Sequence, residues 1–129
     1  RALLARRTRH ALRELEQARA ELSLALVGDA AMAGLNLRHR GRRGPTDVLS
    51  FSLLEGAHSE YRGTLLGDVV IDVEQAARQA RRARRPLDEE LAKLVIHGIL
   101  HLLGHDHQAA AEARRMRAEE RRLWRRVRA

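Results

Sequence analysis

The 129-residue sequence has no cysteine, two prolines, one lysine and three aromatic residues. Without cysteine, a disulfide framework, a thiolate zinc ribbon and a thiol nucleophile are excluded, so any metal ion must be held by histidine or carboxylate. That composition fits a reducing cytoplasm. No apolar stretch approaches the roughly 20 residues that cross a bilayer, and no charged, apolar, small-residue cleavage pattern opens the chain, so no membrane partner is expected. Phe51, Tyr61 and Trp124 are too few for the stacking surfaces on which RNA-recognition and OB domains spread bases. Any nucleic-acid contact should therefore run through the backbone.

Arginine is abundant instead. Twenty-five Lys and Arg against 17 Asp and Glu leave a net charge of +8, and every cation but Lys93 is Arg. The planar guanidinium fork bonds two phosphate oxygens at once, which points to an anionic partner such as nucleic acid, although a GC-rich genome enriches Arg for no functional reason. A hydrophobic share of 44% over 129 residues suits one self-standing domain and excludes a two-domain enzyme.

Periodicity predicts a helix over 2–19, a strand over 22–27 from alternating Leu22, Leu24 and Leu26, and a short helix over 30–38 after the Gly28–Asp29 turn. Gly41, Arg42, Arg43, Gly44 and Pro45 make a basic loop. Residues 47–54 set Leu49, Phe51 and Leu53 against Val48, Ser50 and Ser52, while 65–71 set Leu65, Val69 and Ile71 against Asp68; the two can pair as a long-looped hairpin. Asp72, with Gln75 three residues on, is the expected N-cap of a helix over 73–84. Its outer side, Arg78, Arg81, Arg82 and Arg84, is either solvated or phosphate-binding. A last helix over 109–127 is expected to bury Ala109, Ala113, Met116, Leu123 and Val127, with Trp124 beside them.

The segment Leu87–His107, LDEELAKLVIHGILHLLGHDH, follows Pro86 with acidic residues in its first turn, where a helix dipole favours them. Leu91, Val95, Ile96, Ile99, Leu102 and Leu103 cover most of its circumference and leave one polar stripe of Glu90, Lys93, His97 and His101. His97 and His101 lie one turn apart on that stripe and can converge on one ion. Gly104 stands where a left-handed residue would end the helix and return His107 toward the same point. The spacing H-x-x-x-H-x-x-G-x-x-H is that of metzincin zinc ligands, three histidines with a fourth position open. Three buried, satisfied histidines are the competing interpretation, which gives no equal account of Gly104. After the first ligand, where a zinc peptidase carries its general-base Glu, this chain has Gly98. Losing that base commonly costs a factor of about 100 to 10,000 in rate, so peptide hydrolysis is not expected and phosphodiester cleavage remains open.

HGILHLLGHDH at 97–107, LNLRHRGRRGPTDVLSF at 35–51 and LLGDVVID at 65–72 together resemble the YbeY family, bacterial endoribonucleases that mature ribosomal RNA. The resemblance runs in order from the strand at 22–27 through the final helix, and the strand that usually opens the family's fold is not found here. It implies an α+β, zincin-like single domain over 1–129, with a small mixed β-sheet packed against several helices. It further implies one Zn2+ per chain held by His97, His101 and His107, which with Arg40 make up the catalytic set. The implied activity is single-strand-specific cleavage in 16S rRNA 3′-end maturation, rRNA processing and ribosome quality control. Small-subunit ribosomes, a small-subunit ribosomal protein and the GTPase Era are the implied partners.

Asn36-Leu37-Arg38-His39-Arg40 stands at the family's N-x-x-Y motif and the arginine that follows it. The resemblance thereby assigns Arg40 to phosphate binding or transition-state charge, with Arg38, Arg42 and Arg43 as further RNA contacts. Asn36 is expected to bond the loop backbone. The departures are His39 for the frequent Tyr, Ser52 for Pro, and His105 for Tyr; none removes an expected ligand. Asp106 either orients a ligand imidazole or is a turn residue. Ser50 and Asp68 line the expected cleft without an assigned role. Water or a ribose 2′-hydroxyl can serve as nucleophile. The competing readings are a non-catalytic rRNA-binding assembly factor with structural zinc and a different metallohydrolase.

Overall fold

The computed structural model describes residues 2–52, 65–105 and 109–128, apart from the side chain of Ser52. The elements run α1 (Ala2–Glu14), β1 (Glu21–Val27), α2 (Asp29–Arg40), β2 (Val48–Ser52), β3 (Leu65–Asp72), α3 (Val73–Ala83), α4 (Leu87–Leu102) and α5 (Ala110–Val127). The sheet order is β1-β3-β2, parallel between β1 and β3 and antiparallel between β2 and β3. The small mixed sheet and the α+β class expected from the sequence are both present.

The central position of β3 explains its composition. Leu66, Val69 and Ile71 face α4 and join the main core with Leu12, Val95, Ile99, Leu100, Met116 and Leu123, while Val70 packs with Leu49 and Met32 under α2. A strand covered on both faces needs apolar residues on both. Edge strand β1 keeps the alternation of a half-covered strand, with Leu22, Leu24 and Leu26 turned to the main core. Helix α4 runs through the middle, touching α1, α3, α5, β2 and β3, and its buried residues include Ala92, Leu94, Val95, Ile96, Gly98, Ile99, Leu100 and Leu102.

Several boundaries differ from the sequence expectation, each for a local reason. Helix α1 stops at Glu14, not at residue 19. Glu16 takes the left-handed conformation (φ 60°), its N–H donates to the Arg13 carbonyl, and the Gln17 N–H donates to the Leu12 carbonyl. That is a Schellman end built on glutamate, with no glycine to announce it. Helix α2 reaches Arg40, two residues beyond the expected end, and is ended by Gly41 at φ 67°, so Arg40 shares its last turn with Arg38. Arg78 is not part of a solvated face. It donates to both Asp29 carboxylate oxygens at 3.0 and 2.8 Å, whereas Arg81, Arg82 and Arg84 are exposed. Ala109 is exposed at the N-cap of α5, and Ala113 is half-buried. The expected strand residues 53 and 54 lie outside the described residues.

Candidate metal centre

The polar seam of α4 appears where its wheel places it. The His97 and His101 rings meet edge to face, with centroids 4.8 Å apart and planes at 71°. At the end of α4, Gly104 takes φ 97°. Its N–H donates to the His101 carbonyl at 3.0 Å, and the His105 N–H donates to the Leu100 carbonyl at 2.9 Å. This is the left-handed helix end that the sequence predicts at Gly104. His107 and Asp106 lie outside the described residues.

The structure adds a residue that sequence reasoning missed. A Glu120 carboxylate oxygen on α5 lies 3.0 Å from His97 Nδ1, with both side chains about 30% exposed. A carboxylate on Nδ1 holds the proton there and leaves the Nε2 lone pair as the ligating one, the arrangement that accompanies metal-binding histidines. The 23-residue gap in sequence carries no local signal, since Glu120 reads as one more charge in a solvated helix. Only the packing of α5 on α4 joins the two. With two imidazole donors and a carboxylate behind one of them, this side of α4 has the donor set of a transition-metal site.

Gly98 follows from packing as well as chemistry. A Cβ there would stand 2.9 and 3.0 Å from the Val69 methyls and 3.2 Å from Ser50 Oγ. The close approach of α4 to β3 thus excludes the glutamate that a peptidase carries at this position. Ser50 fills the remaining space, its hydroxyl donating to the Gly98 carbonyl at 3.3 Å.

Arg40 joins this neighbourhood through the same residue. Its guanidinium donates to the Ser50 carbonyl at 2.6 Å and lies over the Phe51 ring, 5.6 Å from the centroid, with the His39 ring 5.0 Å from Phe51 on an edge contact. Ser50 therefore touches α2 through its carbonyl and α4 through its hydroxyl. Arg38, Arg42 and Arg43 are exposed at the end of α2 and on the loop that follows. Asn36 performs the expected structural task, its buried amide donating to the Gly44 carbonyl at 2.9 Å. Asp68 falls, by strand alternation, on the α2 side of β3 with Val70. His105 lies close to Glu119, whose carboxyl is held below its ordinary value first by the Arg122 guanidinium and further by His105.

Among the described residues a second set of donors converges: Asp29, Asp72 and Glu74 each offer an oxygen within 4.8 Å of the others, a group that could hold a metal ion. Several of its oxygens are already engaged within the protein. Arg78 takes both Asp29 oxygens, Glu74 accepts from the Asp29 N–H at 2.9 Å, and Asp72 Oδ1 accepts from the Glu74 and Gln75 N–H groups at 3.0 and 3.2 Å as the N-cap of α3.

A model of the family described as Endoribonuclease YbeY matches residues 2–128. A relative named Endoribonuclease YbeY from Anaeromyxobacter sp. (strain Fw109-5) is 50% identical over 121 residues, 92% of this chain and 62% of the relative. Another of that name from Syntrophotalea carbinolica is 46% identical over 111 residues, 84% of this chain and 74% of the relative. The chain thus spans less than two thirds of the Anaeromyxobacter protein. The solution structure of TM1509 from Thermotoga maritima is similar at TM-score 0.66 and 28% identity, covering 96% of this chain and 81% of that one. With a family match over nearly its whole length, half-identical relatives and a shared fold, the chain belongs to the endoribonuclease YbeY family.

Proposed function

We propose that this chain is a zinc-dependent endoribonuclease that cuts single-stranded ribosomal RNA in the cytoplasm, in 3′-end maturation of the small-subunit RNA and in ribosome quality control. The observation that carries this reading is the His97–His101 pair with Glu120 on His97 Nδ1, in a chain whose curated relatives are named endoribonucleases. His97, His101 and His107 would hold one zinc ion, which when bound would supply Lewis acidity toward a phosphoryl group and lower the pKa of a nucleophile.

Other residues of the chain supply position and charge. Glu120 fixes the His97 tautomer and ring plane. Arg40, docked on the Ser50 carbonyl, offers its remaining N–H groups to phosphate oxygens and stabilises charge that develops on them. Arg38, Arg42 and Arg43 hold the flanking backbone. Gly98 leaves no carboxylate base beside the first ligand, which removes peptide hydrolysis and leaves water or a ribose 2′-hydroxyl to attack phosphorus.

The test is incubation with one RNA sequence in single-stranded and duplex form, with product ends identified. Cleavage confined to the single strand and stopped by a chelator is expected. A 5′-phosphate product marks water as the nucleophile, and a 2′,3′-cyclic phosphate marks the ribose hydroxyl. Arg40→Ala is expected to lower kcat about 100- to 1,000-fold at unchanged metal content. Equal cutting of both forms, or cutting that survives chelation, contradicts the proposal.

A further inference from the structure

Helices α4 and α5 enclose a groove of about 370 Å³ lined by Lys93, Ile96, Arg117, Glu120, Arg121 and Trp124. Its floor is apolar, from buried Ile96 and half-buried Trp124, and its rim is cationic. Lys93 and Arg7 each lie over the Trp124 ring, 5.6 and 5.1 Å from its centroid. Arg117 and Arg121 are exposed and make no ion pair among the described residues, unlike Arg122 and Arg126 on the same helix, which pair with Glu119 and Glu14. They belong to a row, Arg114, Arg117, Arg121 and Arg125, that recurs every three or four residues along one side of α5 and is exposed throughout. Glu120, on the wall of the groove, is also the residue that holds His97. The groove therefore lies behind His97, on the Nδ1 side of its ring, one side chain away from the proposed metal centre.

We propose that this groove is a nucleotide subsite for the RNA strand near the scissile bond, with one base on Trp124 in the place that Lys93 holds over its ring, and the adjoining phosphates on Arg117 and Arg121. The inference rests on RNA being the substrate. An apolar floor alone would suit many ligands. A cationic rim whose Arg117 and Arg121 make no ion pair among the described residues, in a chain of net charge +8, selects one that carries a flat ring and a phosphate together. Stacking on an aromatic side chain tolerates any base, and the arginine row continues the phosphate track away from the metal centre. One aromatic residue can seat one base, so the remaining affinity comes from phosphate contacts.

Trp124 is the sole tryptophan, so its fluorescence reports on the groove directly. The wild-type chain is titrated in chelator with a short single-stranded 2′-O-methyl oligouridine, and separately with inorganic polyphosphate. The oligonucleotide is expected to quench Trp124 and polyphosphate to bind without quenching. Arg117→Gln with Arg121→Gln, both on the exposed rim, is expected to lower the slope of log affinity against log salt by about 1.4, two contacts at about 0.7 each. Trp124→Leu is expected to weaken oligonucleotide binding at least about 5-fold, while Arg81→Gln with Arg82→Gln on α3 leaves it unchanged. Oligonucleotide binding without quenching, or an unchanged salt slope in the double variant, overturns the subsite. A protein that cuts RNA yet fails these tests loses the groove and keeps the activity; one that passes them and never cuts loses the activity alone.

Discussion

At the residue scale the proposed chemistry turns on Gly98 and Glu120, and only the first is legible in the sequence. Gly98 stands out because the neighbouring histidines set a frame in which glutamate is the ordinary occupant. Its steric reason, Val69 methyls only 2.9 and 3.0 Å from where a β-carbon would stand, needs the tertiary structure. Gly98→Ala is expected to cost about 1–3 kcal/mol in urea unfolding, as overpacking does; a cost below a few tenths would mean that α4 and β3 separate readily. Glu120 cannot be found from sequence because its partner is 23 residues away on another helix. Glu120→Ala is expected to weaken zinc binding about 10- to 100-fold in competition with a chromophoric chelator, and Glu120→Gln to recover part of the loss. Unchanged affinity in Glu120→Ala would detach this carboxylate from the metal centre.

Most elements can be read from the sequence because their periodicities are strong, and the misreadings cluster at helix ends. Gly41 and Gly104 take positive φ at the ends of α2 and α4, and glycine advertises such ends. Glu16 does the same for α1 with φ 60°, and glutamate does not. Glu16→Gly is therefore expected to raise stability by about 1 kcal/mol, the cost of left-handed backbone in a residue with a β-carbon. Asp72 is legible as the cap of α3 but not as a fully buried carboxylate. Burial, followed by the neighbouring Asp29, pushes its carboxyl above the ordinary value. Asp72→Ala is expected to cost about 1 kcal/mol through the lost cap. Asp72→Asn keeps an acceptor and removes the buried charge, so it should cost less at neutral pH, measured by thermal unfolding.

Charge at the scale of the whole molecule divides between internal ties and surface free to meet an anion. Arg78 ties α3 to the start of α2 through Asp29, and holds the Asp29 carboxyl below its ordinary value of 3.8. A depressed carboxylate contributes stability that is complete above that unfolded value and lost as pH falls through the lower folded one. Asp72 acts in the opposite sense, because protonating it relieves the cost of its burial. Arg78→Gln is expected to be less stable than wild type at pH 7 and to lose less stability on acidification, read from urea melts across the acid range. Equal acid limbs in the two proteins would contradict the tie. Composition shows the excess of arginine but cannot sort paired from unpaired, because Arg78 and Arg122 differ from Arg117 and Arg121 only in what the fold sets beside them.

The proposed activity is cleavage of RNA through a metal ion held by the α4 histidines. Its most direct test is metal content and single-strand cleavage, measured together on wild type and on His101→Ala purified identically. About one zinc per wild-type chain with cleavage, and neither in the variant, is the predicted result. Equal cleavage by both preparations, or a wild type that holds zinc and binds rRNA without ever cutting it, would contradict the claim.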